Sequence, residues 1–174
     1  TCIGWIGTGV MGAAMCGHLQ RAGYRIAVST RTAAKAQSLL DRGAFWADSP
    51  RQVAAQSDIL VATLAGGAAT KGLIGAEVFE ALGPKGYFIN VARGTVADES
   101  ALLDALEGRR IAGAGLDVFL NEPNIDPRFL TLDNVVLQPH HGSGTVETRR
   151  AMGQLVRDNL AAHFAGRPLL TPVV

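Results

Sequence analysis

Short apolar runs rich in β-branched residues alternate with longer segments of three-to-four periodicity from one end of the chain to the other. The runs cover residues 2–6, 25–29, 44–46, 58–64, 87–91, 111–116 and 135–137. Near-continuous apolar strands separated by helical segments are the mark of a parallel sheet covered on both faces. The pattern therefore predicts an α/β fold, a doubly wound parallel sheet in three αβα layers, built as one domain over residues 1–174. Helix signals fill the gaps. Met11, Met15 and Leu19 form one apolar stripe that stops at Gly23, a left-handed cap after Ala22. A second helix is expected over residues 32–42, ending at Gly43. Ser49 before Pro50 is a start signal, because the hydroxyl caps a free amide and proline fits the first turn. Gly83-Pro84 and Gly108 close two later helices. The last, over residues 145–164, carries Met152, Leu155, Val156, Leu160, His163 and Phe164 as a core-facing stripe.

Composition narrows the classes. At 174 residues and 48% apolar, the chain is long enough to bury roughly 70% of its unfolded surface without disulfides or a structural metal. Sixteen basic side chains against fifteen acidic leave a formal charge of +1, which argues against nucleic acid or a membrane surface as partner. No apolar run approaches the roughly 18 residues of a membrane span. Cys2 and Cys16 form no CxxC and read as small apolar side chains, so a cytoplasmic location is expected. Thr1 in place of Met suggests a trimmed chain. His18 and His163 lack metal-ligand spacing, and Arg109-Arg110 reads as a solvated end before a strand. Trp5 and Trp46 read as strand packing.

The most informative stretch is Gly7-Thr8-Gly9-Val10-Met11-Gly12, which follows a strand directly and opens a helix. In that context Gly7 permits the tight turn, Gly9 lets a pyrophosphate approach the backbone, and Gly12 lets helix and strand pack closely. Free amides and the helix dipole then attract phosphate. About twenty residues on, an NAD site usually places an acid on the ribose hydroxyls. Here the sequence reads Ser29-Thr30-Arg31-Thr32, with Lys35 close by. A guanidinium at that point pairs with a 2′-phosphate, so NADP is expected over NAD, with NAD the weaker ligand.

Residues 1 to about 64, with this loop, Met15 and Thr30-Arg31-Thr32-x-x-Lys35, resemble the cofactor half of the β-hydroxyacid dehydrogenases, the family of 3-hydroxyisobutyrate dehydrogenase. From about residue 66 onward the chain resembles the D-2-hydroxyacid dehydrogenases of the glyoxylate/hydroxypyruvate reductase kind. The carrying motifs are Leu82-Gly83-Pro84, Asn90-Val91-Ala92-Arg93-Gly94, Ala114-Gly115-Leu116-Asp117-Val118-Phe119, Asn121-Glu122-Pro123 and Pro139-His140 with Gly142-Ser143. Two family signatures on one Rossmann NAD(P)-binding fold suggest a recombined or excised chain with a seam at residues 64–67.

The strand-tip rule places Arg93, Asp117, Glu122 and His140 on the rim that holds the glycine loop. Reduction of a 2-keto acid needs a proton donor, which a histidine beside a carboxylate supplies, and a bidentate clamp, which an arginine supplies. The resemblance implies His140 as acid/base, Glu122 as its partner and Arg93 as substrate clamp. It places Leu64, Ala92 and Asp117 on the cofactor, Asp117 near the nicotinamide carboxamide. His141 stands where the family usually has a small or apolar residue. The resemblance also implies a lid-forming substrate domain from residues upstream of the glycine loop, and homodimers. The chain opens at the first strand, so the expectation is a cofactor-binding domain with little or no turnover. The alternatives are a minimal NADPH-dependent reductase of glyoxylate or hydroxypyruvate, and a scaffold that binds nothing.

Overall fold

Alternation along the strands decides which helix lies on which face. In β1 (Cys2–Ile6), Ile3 and Trp5 join one core cluster while Cys2 and Ile6 join another, as side chains pointing to opposite faces must. The first cluster holds Cys16 of α1 (Val10–Arg21) and Leu39 of α2 (Gln37–Leu40), with Ile26 and Val28 of β2 (Arg25–Ser29). The second holds Val53 of α3 (Pro50–Ala54), Phe79 of α4 (Ala76–Leu82) and Leu103 of α5 (Glu99–Glu107), against Leu60 and Ala62 of β4 (Ile59–Ala62) and Phe88 of β5 (Tyr87–Asn90). Phe79 and Phe88 meet edge to face at 5.3 Å. Helices on both faces of one sheet make the three-layer, doubly wound Rossmann arrangement.

The structure is a computed structural model that describes residues 1–172, divided into two compact units at residues 140 and 141. In the first unit β3 (Phe45–Trp46), β6 (Gly113–Leu116) and β7 (Val135–Leu137) complete a seven-stranded sheet among the described residues, ordered β3-β2-β1-β4-β5-β6-β7. Each pairing is parallel. The strand order reverses between β1 and β4, which opens the ligand crevice of such sheets at the strand tips. The second unit holds α6 (Val146–Phe164), capped by Thr145 Oγ1, which accepts from Thr148 N at 3.1 Å. Asn159 ties the tail to it, its Oδ1 accepting from Leu170 N at 3.0 Å.

Punctuation follows the sequence closely. Ser49 Oγ accepts from Gln52 N at 3.2 Å with Pro50 in the first turn, and Gly23, Gly43 and Gly83 take positive φ where helices end. Several expectations fail. On α1 the buried face is Gly12, Cys16 and Gly17, while Met11 is 70% exposed and Met15 also faces out. The helix lies so near the sheet that only small residues fit beneath it. The expected helix over 32–42 breaks into a 3-10 turn, Ala33–Ala36, and the single turn of α2. The strands expected over 58–64 and 111–116 are shorter, spanning Ile59–Ala62 and Gly113–Leu116, and Thr63 and Leu64 pack against the glycine turn beyond the tip of β4. The stripe expected to face a core on α6 is exposed, from Met152 through Leu155, Val156 and Leu160 to Phe164. Two expectations at the end of α5 hold: Gly108 caps the helix, and Arg109 and Arg110 are exposed, with Arg109 in the left-handed conformation and paired with an also exposed Asp133 at 2.5 Å.

Both cysteines are buried, and burial pushes the Cys16 thiol up to about 12 against a smaller opposing pull from Arg42. Thr8 is only 3% exposed, and its hydroxyl finds no hydrogen-bond partner among the described residues. An unsatisfied buried hydroxyl costs about 1–3 kcal/mol, and valine has the same shape without it. Thr8→Val is therefore expected to gain about 1 kcal/mol, read as a higher urea midpoint at unchanged slope.

Candidate cofactor and active site

The turn from β1 into α1 is built by contacts that only glycine permits. Gly7 has φ +96°, its N donates to Ser29 O at 3.0 Å, and a Cβ there would stand 2.7 Å from the Leu64 backbone. At Gly12 a Cβ would lie 2.3 Å from Gly7 O, which already accepts from Thr63 Oγ1 at 2.7 Å. Thr63, which the sequence reading missed, thus closes the turn from β4. Gly9 differs: it is the N-cap of α1, no side chain caps it, and a Cβ would meet nothing within 4 Å among the described residues. Open space over uncapped helix amides, with Val10 and Met11 exposed beside it, suits a diphosphate.

The register Ile6↔Ser29 carries β2 past the same edge, so Arg31 stands two residues beyond the strand tip next to the glycine turn. Arg31, Thr32 and Lys35 are exposed, and Lys35 N donates to Thr32 O at 2.9 Å to start the 3-10 turn. Exposed cationic donors at this point are the donor set that an extra anionic group on the dinucleotide would need. Leu64 backs Gly7, and Ala92 is buried with its N donating to Asn90 Oδ1 at 3.0 Å.

The remaining residues stand at the tips of the adjacent strands β5, β6 and β7. Asn90, almost wholly buried, also donates from Nδ2 to Arg93 O at 3.3 Å, folding the turn that presents Arg93. The Arg93 guanidinium donates to Ala92 O at 2.6 Å, and its stem packs on Gly66, where a Cβ would lie 2.7 Å away. Asp117 N donates to Asn90 O at 3.0 Å. Glu122 Oε2 accepts from His140 Nδ1 at 2.7 Å, and its Oε1 accepts from Phe119 N at 2.8 Å. A carboxylate only accepts, so Nδ1 carries a proton and Nε2 is the ring nitrogen left to act. His140 holds this pose at φ +55°, a left-handed conformation uncommon for a non-glycine residue and concentrated at working sites. His141 lies in the second unit and engages partners of its own.

Burial works against ionisation of Glu122, but the His140 bond and the Phe119 amide outweigh it and hold the carboxyl below its ordinary range. A carboxyl depressed in the fold adds stability above its unfolded pKa and loses it as pH falls through the folded value. Glu122→Gln is expected to remove that acid-range loss from a plot of unfolding midpoint against pH. An unchanged acid limb would show that the carboxylate is not held.

A parallel sheet reversing at β1/β4, a glycine turn feeding an uncapped helix and a His–carboxylate pair on the same edge define a dinucleotide-binding domain of dehydrogenase type. More narrowly, the chain belongs to the D-isomer specific 2-hydroxyacid dehydrogenase, NAD binding domain family, whose model matches residues 1–142. That match runs across residues 64–67, so the expected change of family there is not borne out, nor is a β-hydroxyacid dehydrogenase origin for the first 64 residues. Glycine spacing answers to phosphate and packing, and unrelated dinucleotide folds share it.

The chain is 53% identical over 124 residues to the 2-ketogluconate reductase of Gluconobacter oxydans, covering 71% of this chain and 40% of that protein. It is 38% identical over 164 residues to the glyoxylate reductase of Pyrococcus furiosus, covering 94% and 48%. A crystal structure of the NADPH-dependent glyoxylate/hydroxypyruvate reductase of Sinorhizobium meliloti, in complex with NADP and malonate, superposes with a TM-score of 0.91 at 43% identity, over 99% of this chain and 53% of that one. The chain spans about half the length of the relatives it matches. Among the described residues, no helix is long and apolar enough to cross a membrane, and no group of three or more His, Cys, Asp or Glu could hold a metal.

Proposed function

We propose that this chain is the NADP(H)-binding part of a reductase acting on small 2-keto acids. The observation that carries the reading is the His140–Glu122 pair, 2.7 Å apart, on the same strand-tip edge as the uncapped start of α1. The Gly7–Gly12 turn would hold the diphosphate, where the uncapped start of α1 and the open space at Gly9 leave room for it. Arg31, helped by Thr32 and Lys35, would take the 2′-phosphate, and Leu64, Ala92 and Asp117 would flank the nicotinamide end. When bound, the cofactor supplies the hydride that reduces the keto carbon. His140 delivers the balancing proton from Nε2 to the carbonyl oxygen, and Glu122 offsets the imidazolium charge before that transfer. Arg93 leaves Ala92 O to clamp the substrate carboxylate in two parallel hydrogen bonds.

The 2-keto acid class is supported by the glyoxylate, hydroxypyruvate and 2-ketogluconate named for the relatives. Fluorescence titration with NADPH and NADH tests the cofactor half of the reading. Saturable binding, tighter for NADPH, is the expected result. Absence of binding to either dinucleotide would leave the scaffold alternative in its place. Oxidation of NADPH by glyoxylate or hydroxypyruvate, and its loss in His140→Ala, tests the chemistry separately.

A further inference from the structure

The turn that presents Glu122 is held by a second carboxylate from a distant part of the chain. Glu99, the first residue of α5, accepts from Leu120 N through Oε2 at 2.9 Å, across 21 residues of sequence. The preceding amide, Phe119 N, donates to Glu122 Oε1 at 2.8 Å, which leaves Oε2 for His140 Nδ1. Two consecutive amides therefore each meet a carboxylate, one belonging to the working pair and one behind it. Peptide units are planar, so fixing the N–H of both units that flank the Phe119 Cα fixes both torsions at that residue. The Arg93 turn rests on the same unit, since a Cβ on Gly94 would lie 2.0 Å from Phe119 C and O.

We propose that Glu99 is a positioning residue for the Glu122–His140 pair. By pinning the Leu120 amide it aims the Phe119 amide at Glu122 and keeps the carboxylate in line with the imidazole. The inference rests on the reading of His140 as the proton donor. It assigns the first turn of α5 a task beyond starting a helix, which Asp98 already does by accepting from Ala101 N at 3.1 Å.

The sign of one titration separates positioning from plain electrostatics. The ionisable groups bearing on Glu122 are His140 and Asp117, and Glu99 approaches the same turn from α5. If Glu99 acted only as a nearby negative charge, Glu99→Ala would make Glu122 easier to ionise and lower its midpoint. If Glu99 positions the turn, the same change loosens the Phe119 and His140 bonds and raises the midpoint. Glu99→Gln discards the charge but keeps an oxygen acceptor, so positioning predicts no rise there. Carbon-13 NMR of the Glu122 side-chain carboxyl in the three proteins reads this directly. A rise in Glu99→Ala with none in Glu99→Gln is expected. No rise in Glu99→Ala, or a rise in both, overturns the proposal.

Should Glu99→Ala fail to fold, the unsubstituted chain gives the answer another way. The Leu120 amide proton should shift in step with protonation of Glu99, and a Leu120 amide indifferent to acid overturns the proposal equally. Neither measurement uses cofactor or substrate. A chain that reduces no keto acid would therefore sink the proton-donor reading while leaving the Glu99 result to stand or fall by itself.

Discussion

Arg31→Ala is expected to weaken NADPH binding about 10- to 100-fold while leaving NADH almost unchanged, because a charge-assisted hydrogen bond contributes about 1.5–3 kcal/mol. Register places Arg31 just past the tip of β2, beside the turn that receives the diphosphate, and the position that would take a ribose-binding acid is occupied by a cation. Thr32 and Lys35 share the anion, so some preference should survive the substitution. Lys35 is a point charge, whereas Arg31 offers a planar fork, and the larger loss belongs to the arginine. Both partners are exposed, so the NADPH advantage should shrink as salt is raised. Fluorescence titrations at two ionic strengths measure both effects. Equal affinity for the two dinucleotides in the unsubstituted chain would end the argument.

Gly94→Ala should be the most damaging single methyl in the first unit, at about 3 kcal/mol or more. Its Cβ would lie 2.0 Å from the Phe119 carbonyl carbon and oxygen and 2.5 Å from Leu120 N. Those are backbone atoms, and hydrogen bonds to Glu122 and Glu99 hold them on the other side. Relief requires moving either the Arg93 turn or the Glu122 turn, so stability and site geometry should be lost together. Gly9→Ala supplies the contrast, because its Cβ meets nothing within 4 Å among the described residues. That variant should unfold near the parent midpoint yet bind dinucleotide poorly, since the methyl occupies the space a phosphate needs. Urea unfolding of both proteins decides the matter. A Gly94→Ala midpoint close to that of Gly9→Ala would refute the packing account.

The acid-range behaviour of Glu122 and the stability gain expected at Thr8 probe the same molecule from opposite directions. At Glu122 the site holds the carboxylate in its charged form because two donors bind it. At Thr8 a buried hydroxyl is kept with no partner among the described residues. The first serves the chemistry proposed here, and the second falls inside the turn proposed to receive the diphosphate.

Local rules that act within a few residues were legible in the chain alone. Seven strand positions, the glycine stops, the Ser49-Pro50 start and the order of elements follow from periodicity and from φ restrictions, which neighbours in sequence impose. The placement of Arg93, Asp117, Glu122 and His140 on one edge also followed, because a parallel sheet puts every strand's carboxyl end on the same side. Family resemblance supplied their proposed roles. The sequence misled where small residues were hidden by close approach. The stripe Met11, Met15 and Leu19 has ideal helical spacing, yet only Leu19 packs against the core, α1 meets the sheet through Gly12, Cys16 and Gly17, and periodicity cannot tell a side chain that packs from one that faces out.

Only the tertiary structure decided how the working side chains are held. Thr63 closing the glycine turn, Asn90 folding the Arg93 turn and Glu99 reaching Leu120 each join the tips of different elements. Such bonds depend on strand register and on loops meeting in space, and no periodicity in one segment encodes the position of another. The residues proposed to do the chemistry are thus written in the chain, while the ones that hold their turns emerge only when the sheet brings its strand tips together.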